Sequence, residues 1–138
     1  MAEVTKTGVP SVCTAHPGAE HQITGLYAAT ALAAGDAVYI SATTGKATLA
    51  TGAAAGAAAR VVGFVSKPAS ADEACTIHRG VHYAYGPKVA GVAVAPGTEL
   101  FLSGTVPGGL ADAASVGGTV VIAVVIDTDG RIIAKGNY

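Results

Sequence analysis

Residues 32–41 read LAAGDAVYIS, a small-residue turn followed by an alternating polar and apolar run, and residues 94–103 read VAPGTELFLS, the same pattern again. Gly35 and Gly97 supply the turn, because a residue without Cβ takes positive φ at little cost. The segments that follow, Asp36–Ser41 and Thr98–Ser103, are strands by their β-branched and aromatic content. Alternation along a strand puts Val38 and Ile40 on one face, as it does Leu100 and Leu102, and turns Tyr39 and Phe101 to the other. An aromatic at the same place in both copies predicts that each ring is covered, by a second sheet layer or a neighbouring subunit. Tyr39 and Phe101 are therefore candidate lobe or oligomer contacts.

Outward from these segments the two halves stay parallel. Thr43–Lys46 turns the first strand into a hairpin return at Ala47–Ala50. TGAAAGAAAR, residues 51–60, combines helix-favouring alanine with glycines that each cost about 1 kcal/mol inside a helix, so it reads as a loop with at most one helical turn. Arg60–Ser66 and Ala74–His78 are further strands, and residues 80–86 (GVHYAYG) are extended. In the second half, Val106–Leu110 is a turn, Thr119–Ile126 (TVVIAVVI) is the strongest strand of the chain, and Asp129-Gly130 signals a hairpin into Arg131–Lys135. Val62-Gly63-Phe64-Val65 answers Ile122-Ala123-Val124-Val125. The expectation is a mainly β fold, a small β-barrel or sandwich built from two similar β-lobes in a single domain, residues 23–138. Residues 1–22, polar and carrying Pro10 and Pro17, read as an extended N-terminal arm.

The hydrophobic content of 51% overstates the core, since about thirty of the 138 residues are alanine, Trp is absent and Phe occurs twice. Burial is worth roughly 25 cal/mol per Å² of apolar surface, so a core of small side chains is thin and subunit contacts become attractive. A net charge of −1 with 12% charged residues gives no basic field for nucleic acid. The N-terminus lacks a signal-peptide pattern and no long run of large apolar residues marks a membrane span. The expectation is a soluble, non-secreted protein with neither nucleic acid nor membrane as partner. Cys13 and Cys75 show no disulfide-framework density, which fits a reducing compartment, with a single bridge left open.

Reactive groups concentrate in Cys75-Thr76-Ile77-His78-Arg79-Gly80-Val81-His82. The Cys75-x2-His78 spacing is echoed by Cys13-x2-His16, and two Cys with two His could hold zinc, yet CxxH pairs carry little specificity and the simpler reading is a strand with Cys75 and His78 on opposite faces. His78 and His82 would share a face if no bulge intervenes and meet solvent or a neighbouring subunit. No GxSxG elbow occurs, and the SATTGKAT stretch fails the phosphate-loop pattern at Ile40 and Ala47. Asp72 and Glu73, being adjacent, point apart in a strand. The reading is a protein without catalysis, cofactor or metal, made for contacts.

The order of LAAGDAVYIS, a Gly/Ala-rich connection into RVVGFVS, then VAPGTELFLSGTVPGGL and TVVIAVVIDTDGRIIA resembles the capsid cement, or head decoration, proteins of tailed bacteriophages over roughly residues 24–135. The echoes are Ala34-Gly35-Asp36 with Val38, Val62-Gly63, and Pro96-Gly97-Thr98 with Leu100. The resemblance implies a β-barrel or β-tulip-like domain that binds the outer surface of the expanded head, commonly as homotrimers, a dimer being the other option, with the major capsid protein as partner. It places the protein on the virion after synthesis in the bacterial host cytoplasm. The chain departs from the family in its TGAAAGAAA segment and its long arm. In this reading the arm residues Val4, Val9, Pro10, Val12 and His16 contact capsid subunits, adding a strand to an exposed edge. Alternatives are a tail-tube or fibre-associated virion protein and a small-ligand-binding β-barrel.

Overall fold

A computed structural model describes residues 2–13 and 21–136. It is mainly β, with 41% of the chain in strands and no α-helix among the described residues. Among the described residues fourteen strands follow in order. The arm gives β1 (Glu3–Val4) and β2 (Ser11–Val12), and the first half gives β3 (Gln22–Tyr27), β4 (Ala37–Ile40), β5 (Ala47–Leu49), β6 (Gly63–Val65) and β7 (Ala74–His78). The second half gives β8 (Val81–Ala84), the small hairpin β9 (Lys88–Val89) and β10 (Val92–Ala93), then β11 (Glu99–Leu102), β12 (Leu110–Ala111), β13 (Val121–Val125) and β14 (Arg131–Ala134). The alanine-rich segment holds one 3₁₀ turn, Ala57–Ala59, as its mixed composition predicts.

The first lobe is a sheet ordered β3-β7-β6-β4-β5, and the second is ordered β1-β12-β11-β13-β14-β8-β2. With the arm strands set aside, the second lobe reads β8-β14-β13-β11-β12, which is the first lobe's order element for element. Register carries the match to single residues. Ala37 pairs with Phe64 and Phe64 with His78, while Glu99 pairs with Val124 and Val124 with Ile133. Gly35 and Gly97, which open the matched units, both sit at φ +87°. The paired halves expected from LAAGDAVYIS and VAPGTELFLS are thus two copies of one five-strand topology. Neither sheet closes into a barrel, so the class is sandwich-like and the barrel expectation is set aside.

The lobes pack head to tail. Val38, Val65 and Ile77 face the inside of the first lobe, where Leu32, Ala28 and Ala69 from its connections cover them. Their counterparts Leu100, Val125 and Ile132 face the inside of the second lobe, but there the cover is the other lobe: Ala37, Ala50, Ala59, Val61 and Phe64 join that cluster. Phe64 lies 6.3 Å from the Tyr83 ring at 49°. The Tyr83 hydroxyl donates across the lobe boundary to the Val65 carbonyl, which also accepts from the Gly35 amide.

Burial lifts the Tyr83 hydroxyl from 10.0 to about 12, with the Asp36 charge adding to the rise and a Gly35 hydrogen bond opposing it. Burial raises Tyr85 likewise. A phenol whose pKa is higher folded than unfolded contributes stability that is complete below pH 10 and lost as pH climbs through 12. On the acid side, burial lowers the His78 pKa below 6.5, so its contribution is present above 6.5 and declines as pH falls below it. Chemical denaturation across pH should show a plateau between these limits and a fall above pH 10, to which Tyr83 contributes about 2 kcal/mol between pH 10 and 12; Tyr83→Phe should lose that part and keep the part due to Tyr85.

Candidate contact surfaces

The arm lies along the protein's own second lobe. Glu3 and Val4 pair with Ala111 and Leu110 at one edge, and Ser11 and Val12 with Ala84 and Tyr83 at the other. Thr5 and Lys88 exchange backbone hydrogen bonds between these points. Lys6 reaches the first lobe, its Nζ 3.1 Å from Asp36 Oδ1 and 3.2 Å from the Ala34 carbonyl. Val4 and Pro10 are buried, Val12 packs on the core, and Val9 alone of the described apolar arm candidates is strongly exposed, at 80%. The reading of Val4, Pro10 and Val12 as capsid contacts is therefore corrected: unpaired edges at β12 and β8 recruit the arm internally. His16 lies outside the described residues. The docked arm also lines a small half-open pocket with Glu3, Val4 and Lys6 against Asp36, Tyr85, Val106 and Pro107, where Glu3 Oε2 and the Tyr85 hydroxyl are buried without a protein partner.

Tyr39 is half-buried against the interlobe core. Phe101 is half-buried on the outer face of the second lobe, away from both core clusters. His78 and His82 do not share a strand. His78 ends β7 in one sheet and His82 lies on β8 in the other, with Gly80 at φ +65° making the turn between them. His78 is buried on the Phe64 face with Nδ1 unpaired, whereas His82 is exposed. Both cysteines are free, Cys13 exposed and Cys75 buried, and burial raises the Cys75 thiol. Among the described residues no three metal-ligating side chains cluster. No helix of the described residues is long and apolar enough to cross a membrane.

A further surface was not anticipated from sequence. The connections β5–β6 and β12–β13 are equivalent in the two lobes, and they meet. The Gly117 amide donates to the Gly52 carbonyl at 2.8 Å, the Gly52 amide to Ser103 at 2.8 Å, and Ser115 Oγ to Leu102 at 2.9 Å. A Cβ on Gly117 would stand 2.1 Å from the Ala54 carbonyl oxygen, so the approach needs glycine there. The result is a hydrogen-bonded platform whose exposed residues 53–57 and Val116 are uncharged, with Arg60 and Asp112 exposed elsewhere in the same two connections. The signal that could have located it was the pairing of TGAAAGAAA with ADAASVGGT at equivalent places in the repeat.

Comparisons with protein-family models, with curated proteins and with solved structures gave no match.

Proposed function

We propose that this chain is a structural virion protein that binds the outer surface of a tailed-phage head and cements it in the expanded form, with the major capsid protein as partner. It acts by contact, without catalysis or cofactor, as a homo-oligomer. The family resemblance of residues 24–135 implies three copies, and the face discussed below favours two. The observation that carries the reading is the platform: equivalent loops of both lobes, joined by backbone hydrogen bonds, present the uncharged exposed residues 53–57 and Val116. Such a surface meets another protein without ordering cost or charge desolvation. A cement subunit needs little more, since several modest contacts in one oligomer dissociate far more slowly than one. Binding the assembled shell and not its free subunits stabilises the shell by mass action.

Purified protein is expected to co-sediment with expanded heads of its cognate major capsid protein and to raise their disruption temperature. The variant Ala54→Asp/Val116→Asp, which alters two exposed side chains, should fold normally and lose at least tenfold in head affinity, about 1.4 kcal/mol. Absence of head binding by the wild type, or its location on tails in micrographs of whole particles, would overturn the proposal.

A further inference from the structure

The internal repeat makes one face stand out. In the first lobe, the row Ala37, Phe64 and His78 lies on the outer face of its sheet, and that face is buried beneath the second lobe. The equivalent row of the second lobe is Glu99, Val124, Ile133 and His82. Beside it Phe101 pairs with Val121. Phe101, Val121, Val124 and Ile133 are half-buried and, among the described residues, belong to neither core cluster.

From this juxtaposition we infer that the outer face of the second lobe is a self-association surface, occupied by the same face of a second copy. Two features identify that occupant. The equivalent face of the first lobe is already covered by a β-lobe of this chain, so a sheet of this composition is the cover the surface fits. Charge also divides across the face: Glu99 lies on β11, Arg131 and Lys135 on and just beyond β14, and the apolar β13 runs between them. A two-fold axis along β13 sets the acidic side of each copy over the basic side of the other, an isologous contact. Arg131 is held by Asp127, with Nε 2.5 Å from Oδ2, which leaves Lys135 as the cation facing Glu99. The centre is then apolar and the rim charged, as in a specific interface, and the short strands give a modest area and micromolar affinity.

The inference does not depend on what the platform binds. Sedimentation equilibrium of the full chain over a micromolar range should give a monomer–dimer equilibrium. Val124→Glu should be monomeric at every concentration with an unchanged circular dichroism spectrum. Because a core-adjacent change could disturb folding, a charge exchange on exposed positions provides the second arm. Glu99→Lys alone should weaken dimerisation by about tenfold, and adding Lys135→Glu should restore it. A monomeric wild type, a trimer, or a dimer indifferent to these three changes would overturn the inference while leaving head binding to be judged separately.

Discussion

Replacing Phe64 with alanine is expected to lower the unfolding free energy by about 3–5 kcal/mol, the largest effect of any single substitution in the chain. Phe64 is fully buried and belongs to the first lobe, yet it packs in the core of the second. The side chains beside it from the same lobe, Ala37, Ala50, Ala59 and Val61, are small. They have no reach with which to fill the void, so the cavity stays. Domains of this size are stable by roughly 5–15 kcal/mol, and the variant should approach half-unfolding in modest urea. The control is Phe101→Ala on the outer face, expected to cost about 1 kcal/mol or less. Equal losses at the two positions in urea titrations would show that the lobes do not share a core.

Removing residues 2–12 is expected to cost on the order of 3 kcal/mol, most of it from Val4, whose burial alone is worth about 1.5–3 kcal/mol. The deletion also strips the partners from β12 and β8, leaving two sheet edges open to other chains. Thermal unfolding should therefore begin earlier, and light scattering should rise with protein concentration. A truncated protein that stays monodisperse and melts with the wild type would mean that the arm does not rest on the body in solution. Lys6→Ala, which breaks the part-buried ion pair with Asp36 in the middle of the arm, should cost on the order of 1 kcal/mol.

Much of the fold could be read from local pattern. The strand at Ala74–His78 and the hairpin after Asp129-Gly130 lie where alternation and turn chemistry put them. The match of Val62–Val65 to Ile122–Val125 is reproduced in the strand register. The arm was misjudged because its two short strands are stabilised by edges distant in sequence, and nothing within residues 1–22 records that Leu110 and Tyr83 wait there. β12 was read as the end of a turn for the same reason, a two-residue strand having no period to display. The positions of Tyr39 and Phe101 followed from alternation, but only tertiary packing decides that Tyr39 rests on the interlobe core and Phe101 does not. His78 and His82 were separated by Gly80, whose positive φ turns the chain from one sheet to the next.

The pairing pattern also orders the events of synthesis. All pairings of the first lobe's sheet lie between residues 22 and 78, so that sheet can form as soon as this stretch has left the ribosome. The second lobe's sheet must wait for β13 and β14, and arm strand β1 finds its partners only at Leu110 and Ala111. Contacts so distant along the chain are slow to close. The nascent chain thus holds its arm residues unassigned until their partners in the second lobe have been added.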